Sequence, residues 1–209
     1  MRHKARLTWP IRGAAAVLAI HLTGPVSAQP APPACDIAGF GTDRDPQGAN
    51  IRALPRQDAQ VIARLPPPLR YDGSSFQVEF RIVGFQDSWV RIRDAAFGDY
   101  FPRRPGFRFQ GPGWVHASLV GLQTGSHRLR AAPAADAPTV LELRGKDAQG
   151  NGWGPDSITI RRFHGCTGKF ADVTLRTPAG REARGWVRNI CANQMTTCDG
   201  YDPDEDEGN

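Results

Sequence analysis

Cys166 stands two residues after His164, the one place where a cysteine and a histidine are close in this chain. A nucleophilic cysteine needs a nearby base and surroundings that stabilise its thiolate. On a strand, though, two such residues merely share a face, and a cysteine oxidised to a disulfide attacks nothing. His116 directly follows Gly113-Trp114-Val115 and reads as a residue at a strand end. No G-x-S-x-G, H-E-x-x-H or phosphate-cradling glycine loop occurs, and the carboxylates form no glycosidase-like pair. His116, His127 and His164 are scattered and no C-x-x-C pair is present, so no metal site is expected. The stretch from Asp199 to Glu207 is rich in oxygen ligands but lacks the loop pattern and closing Glu of an EF-hand. A block of like charge there reads as a disordered acidic tail over residues 199–209. The expectation is a protein with no catalytic residues and no cofactor.

Recognition chemistry is better represented. Between Asp94 and Pro112 the chain gathers Phe97, Tyr100, Phe101, Phe107 and Phe109 with Arg103, Arg104 and Arg108. Arginine beside aromatic rings stacks on planar groups and grips anions, which suits an acidic polymer, a peptide or a single nucleic-acid strand. In an extended hairpin over 94–112, Tyr100, Phe101, Arg103 and Arg104 fall near the tip and are the contact candidates. Phe107 and Phe109 alternate as inward-facing strand residues do. The same composition fits a hairpin that only lengthens the wall of the fold while its arginines are solvated. Trp114 and Trp186 recur at one place in a repeat described below, which points first to core packing and second to a role in ligand binding.

The elements that must hold these groups are short. Gly 23 and Pro 18 make up about a fifth of the 209 residues, against roughly an eighth in an average protein, which disfavours long helices. A basic start (Arg2, His3, Lys4, Arg6), an apolar stretch from Gly13 to Thr23 and small residues at Val26-Ser27-Ala28 read as a signal peptide over residues 1–28. Beyond it, 22 basic residues face 21 acidic ones, and six of those acids lie from Asp199 onward, so charge is segregated rather than absent. Export places Cys35, Cys166, Cys191 and Cys198 in an oxidising compartment, where an even count favours two disulfides. It also argues against nucleic acid as the partner. No apolar run reaches the ~18 residues of a membrane span.

An internal repeat sets the architecture. Asn50-Ile51-Arg52-Ala53-Leu54-Pro55 is echoed by Arg128-Leu129-Arg130-Ala131-Ala132-Pro133, and Val61-Ile62-Ala63-Arg64-Leu65 by Thr139-Val140-Leu141-Glu142-Leu143, both at an offset of 78. Arg81 and Gly84 match Arg162 and Gly165, and Ser88-Trp89-Val90-Arg91-Ile92 matches Lys169-Phe170-Ala171-Asp172-Val173, at an offset of 81. Gly113-Trp114-Val115 matches Gly185-Trp186-Val187 at 72, so the first copy holds nine extra residues between its last two strands. Ordered self-similarity of this kind marks a duplicated unit. Alternation over Phe76–Ile82 and Ser157–Arg161 predicts half-buried strands.

The motifs N-I-R-A-L-P, V-I-A-R-L, S-W-V-R-I and G-W-V resemble those of bacterial SH3-like domains, and the second copy is similar, with Phe170 where a Trp is usual. The resemblance covers about residues 35–198. It implies an all-β chain with two small SH3-like barrels in tandem, at 29–122 and 123–198. It also implies a role beside cell-wall enzymes or in binding peptides and peptidoglycan. On the SH3 path, the turn holding Cys166 approaches Cys191, which favours a Cys166–Cys191 bridge with Cys35 to Cys198; a local Cys191–Cys198 loop is the rival. The expected protein is a periplasmic or secreted monomer, a noncatalytic binding module for peptidoglycan, a peptide or an envelope protein, with Tyr100, Phe101, Arg103, Arg104, Trp114 and Trp186 as ligand-contact candidates. The alternative is a structural or inhibitory partner of an envelope enzyme with no glycan contact.

Overall fold

Alternating residue types make the long strands one-sided, as in Trp89–Phe97, where Val90, Ile92, Ala95 and Phe97 are buried while Arg93 and Asp94 are exposed. The computed structural model describes residues 34–99, 101, 106–192, 194 and 198. The expected leader and acidic tail, and Tyr100, Arg103 and Arg104, lie outside them. The described chain is all-β, with no α-helix among the described residues. Its first half contains β1 (Ala34–Gly41), β2 (Ala49–Arg52), β3 (Val61–Leu65), β4 (Leu69–Tyr71), β5 (Ser74–Phe76), β6 (Val78–Gln86), β7 (Trp89–Phe97), β8 (Arg108–Phe109), β9 (Gly113–His116) and β10 (Val120–Gly121). The second half contains β11 (Gln123–Thr124), β12 (Arg128–Arg130), β13 (Thr139–Glu142), β14 (Gly145–Lys146), β15 (Gly152–Trp153), β16 (Thr159–Thr167), β17 (Phe170–Arg176), β18 (Glu182–Val187) and β19 (Ile190–Cys191).

The repeat read from the sequence is present bond for bond. One sheet runs β10-β1-β6-β7-β9-β2-β3, with β8 on β7, and the other runs β13-β12-β18-β17-β16. The path β3-β2-β9-β7-β6 therefore reappears as the whole second sheet. Arg52 lies opposite Trp114, and Arg130 opposite Trp186. Arg52 Nη1 donates to the Ala59 carbonyl at 2.8 Å and Arg130 Nη1 to the Ala137 carbonyl at 3.3 Å, so each arginine clamps the loop that follows its own strand. The loops agree too: Ala53 N–H donates to Gln60 O and Ala131 N–H to Pro138 O, both at 2.9 Å. Bulges between Ile82 and Gly84 and between Phe163 and Gly165 fall at matching positions.

Two glycines explain why G-W-V recurs. A Cβ on Gly113 would lie 2.3 Å from Ile51 Cγ2, and one on Gly185 would lie 2.5 Å from the Arg130 carbonyl. Strands β2 and β12 thus cross so close to β9 and β18 that no side chain fits between them. The residues beneath, Ile51, Ile92 and Val115 in one sheet and Leu129, Val173 and Val187 in the other, are wholly buried. Each contributes about 1.5–3 kcal/mol through burial. Neither sheet's strand path closes on itself through hydrogen bonds.

The disulfides are Cys35–Cys166 and Cys191–Cys198, so the favoured pairs Cys166–Cys191 and Cys35–Cys198 are not formed, and the rival Cys191–Cys198 loop is. The reason lies in β1, which is paired antiparallel to β6 and β10 and meets the turn between β16 and β17 at its other end. Asp36 N–H donates to Gly168 O at 2.7 Å and Gly168 N–H to Ala34 O at 2.8 Å, which brings Cys35 beside Cys166. Phe85 and Phe163 pack edge to face at 5.3 Å nearby. Gln194 and Gln77 exchange hydrogen bonds of 2.7 and 3.0 Å, a further tie between the two halves. The buried apolar cluster accordingly runs through both sheets.

Candidate functional site

On β7 the inward residues Val90 and Ile92 leave Trp89 and Arg91 on the outer face. The ladder sets Trp89 opposite His116 and Arg91 opposite Trp114, and β2 adds Asn50 and Arg52 to the same face. The Trp89 and His116 rings meet edge to face, 5.3 Å between centroids and 88° between planes. His116 Nδ1 lies 2.7 Å from Ser118 Oγ and accepts from Ser118 N–H at 3.4 Å, capping the turn Ala117–Leu119. The other ring nitrogen, Nε2, is left for a ligand.

Residues 43–48 supply the facing wall. Asp43 Oδ1 accepts from Asp45 N–H at 3.0 Å and Asp45 Oδ1 from Gln47 N–H at 2.8 Å, so each carboxylate is held through one oxygen. Gly48 then turns the chain at φ +74°, where a Cβ would lie 2.0 Å from the Leu65 carbonyl. Between loop and sheet lies a cavity of about 410 Å³ lined by Asp43, Asp45, Asn50, Arg52, Trp89 and His116, among others. Asn50 lines the cavity, while its own Oδ1 is buried away from solvent and has no hydrogen-bond partner among the described residues. An indole, a carboxamide, an imidazole, a guanidinium and two carboxylates line this one cavity, a composition suited to polar ligands with an apolar side. His116 Nδ1 and Ser118 Oγ, 2.7 Å apart, line the same cavity.

The residues expected from the sequence are distributed differently. Trp114 is only 8 % exposed and packs where Arg52 crosses β9. Trp186 is half-buried opposite Asp172 on the outer face of the second sheet. Phe101, expected at a hairpin tip, is half-buried, its ring 5.6 Å from Phe76 and 5.9 Å from Phe97. Tyr71 joins the same cluster at 5.6 Å. Phe107 and Phe109 are half-buried against the core.

His164 and Cys166 do not share a face. The bulge at Phe163–Gly165 adds one residue, so Cys166 points inward opposite Ala171 while His164 meets Thr174 Oγ1 at 2.8 Å. Burial, and then the cation of Arg184, hold the His164 pKa below its ordinary value, against the pull of Asp172. Arg184 grips Asp172 with two bonds of 3.1 and 2.7 Å, which raises the guanidinium pKa. This face is satisfied by its own partners.

Asn50 and Trp89 stand in the motifs N-I-R-A-L-P and S-W-V-R-I, and His116 reads as a strand-end residue, but none of the three is among the contact candidates read from the sequence. The available signal was the alternation in Trp89-Val90-Arg91-Ile92, which turns a tryptophan outward once Val90 and Ile92 face the core. A second cavity of about 480 Å³ follows edge strand β13, lined by residues including Val140, Glu142, Trp153 and Arg181, and offers no imidazole or carboxamide. Comparisons with protein-family models, curated proteins and solved structures found no match to this chain.

Proposed function

We propose that this protein is an exported, noncatalytic binding module of the cell envelope, built from two SH3-like barrels in tandem, and that it recognises peptidoglycan through the cavity between Trp89 and the 43–48 loop. The observation that carries the reading is the convergence of Trp89, His116, Asn50 and Arg52 on that cavity. A flat ring beside fixed donors and acceptors suits the alternating apolar and polar surfaces of a peptide-linked glycan. The tandem arrangement is supported by the matched strand order and by the paired clamps of Arg52 and Arg130. Export is supported by two disulfides and by the absence, among the described residues, of any helix long and apolar enough to cross a membrane.

Co-sedimentation with purified sacculi tests the reading. The parent protein should pellet with sacculi, and Trp89→Ala should weaken capture about tenfold or more, as loss of a central aromatic anchor does. Equal capture of both proteins, or no capture of the parent, contradicts it.

A further inference from the structure

The Trp89 cavity has a neighbour. His116 and Ser118, which wall it on one side, also wall a second cavity of about 200 Å³ whose other side is β16, with Ile160, Arg161, Arg162 and Phe163. Ser88 in the tight turn between β6 and β7 completes that lining together with Ala117 and Val120. The two spaces share the His116–Ser118 turn as a wall, so a ligand laid across that turn meets them as one groove from the first sheet to the second.

Charge is divided along this groove. Both carboxylates, Asp43 and Asp45, lie in the first cavity, and both consecutive arginines, Arg161 and Arg162, lie in the second, which has no acidic lining residue. Adjacent residues of a regular strand point to opposite faces. Arg161 and Arg162 reach one cavity because the β16 register slips between Ile160 and Arg162, and a bulge re-aims a side chain in this way. Both arginines are exposed, and among the described residues no hydrogen bond or ion pair engages either side chain. Two free guanidinium groups side by side are a receptor for a carboxylate.

The opposite end is a receptor for an ammonium. The loop backbone holds one oxygen of each carboxylate and leaves the other free. Trp89, which lines the same cavity, offers a ring to a cation. Arg52 also lines this cavity, but one of its nitrogens is committed to the Ala59 carbonyl.

We infer that the groove takes a short peptide with a free ammonium and a free carboxylate, the ammonium between Asp43 and Asp45 and the carboxylate on Arg161 and Arg162. This deepens the proposed function and rests on it, since it names as the part of the envelope polymer that the groove reads a peptide carrying a free amino group, beyond the one that joins it to glycan, as well as a free carboxyl end. An extended peptide advances about 3.4 Å per residue, so a tetrapeptide of roughly 14 Å is a suitable first probe across a turn of this kind.

Isothermal titration of the full chain with tetra-alanine in four forms tests the assignment: both ends free, N-acetylated, C-amidated and doubly blocked. Blocking either end should weaken binding about 3- to 10-fold, and blocking both should weaken it further. In Arg161→Gln/Arg162→Gln, amidation should lose its effect while acetylation keeps it. In Asp43→Asn/Asp45→Asn, which retains the loop's Oδ1 acceptors, the pattern should reverse. Should the aspartate variant melt early, the arginine variant decides alone, because both its sites are exposed. Undetectable binding of the free-ended peptide at millimolar concentration overturns the inference, as does amidation that weakens binding equally in parent and arginine variant. Sacculus capture that depends on Trp89 without any end-charge effect leaves the proposed function standing and removes this inference. End-charge effects without sacculus capture do the opposite.

Discussion

Removing the Cys35–Cys166 bridge should destabilise the protein about twice as much as removing Cys191–Cys198. The first closes a loop of sequence separation 131, the second one of 7. In the chain-entropy treatment the denatured state loses about 2.1 + 1.5R ln n cal/mol/K, which at 25 °C gives ~5 kcal/mol for the long loop and ~2.4 kcal/mol for the short one. The loops do not overlap in sequence, so the two terms are separable. Burial does not disturb the ratio much, since Cys35, Cys166 and Cys198 are all between 3 and 6 % exposed. The long bridge also holds β1 against the Gly168 turn, and its loss should loosen the Ala34–Gly168 and Asp36–Gly168 hydrogen bonds.

Calorimetry of Cys35→Ala/Cys166→Ala and Cys191→Ala/Cys198→Ala, each free of unpaired thiols, measures both effects. For a chain of this size ~1 kcal/mol moves Tm by about 2–4 °C, so the expected drops are ~10–20 °C and ~5–10 °C. Equal drops, or a larger one for the short loop, would refute the reasoning that the inter-sheet staple acts through the unfolded chain. Peptide mapping without reductant that returns Cys166–Cys191 would remove its premise.

Gly113→Ala and Gly185→Ala should each destabilise by ~1–3 kcal/mol through overpacking, the second more, because its new Cβ meets the Arg130 carbonyl rather than a side chain; denaturant melts give both values. Phe101→Ala should cost ~1–3 kcal/mol, below the ~3–5 kcal/mol of a fully buried ring, because its ring packs on Phe76 and Phe97; an unchanged Tm would return Phe101 to a free tip. His164 has a pKa lowered in the folded state, so below its ordinary value of 6.5 the unfolded chain binds more protons. Stability from this group is present above that pH and lost as pH falls, and His164→Gln should flatten the melting profile between about pH 7 and 5. A variant with the parent's slope would mean that other groups set it.

Much of the fold was readable because its parts are local. Offsets of 78, 81 and 72 could be matched by eye since strand pairing and loop bonds repeat residue for residue, from the Arg52 and Arg130 clamps to the two bulges. The local Cys191–Cys198 loop was one of the pairings the sequence offered, but Cys35–Cys166 was not, because nothing near Cys35 in sequence says that β1 will extend past its own sheet to Gly168. The facing of His164 and Cys166 was misjudged for the same reason that Arg161 and Arg162 converge: a bulge changes parity, and its position depends on the partner strand. Phe101 looked like a tip residue because the rings that cover it, Phe76 and Tyr71, come from the β4–β5 hairpin some 25 residues earlier. The candidate site was half visible. Alternation places Trp89 outside, but the Asp43–Gly48 wall that turns an outer face into a cavity is a tertiary contact.

The most direct test of the account is a ¹⁵N NMR titration of the indole N–H signals with soluble peptidoglycan fragments. The chain has five tryptophans, of which Trp89, Trp114, Trp153 and Trp186 lie beyond the expected leader, and Trp→Phe substitution assigns the signal of each of these four. The account predicts that the Trp89 signal shifts saturably, that buried Trp114 beside it moves less, and that Trp153 on the β13 cavity stays in place. Fragments that shift Trp153 or Trp186 while Trp89 is unmoved, or that shift none of the four, would contradict it.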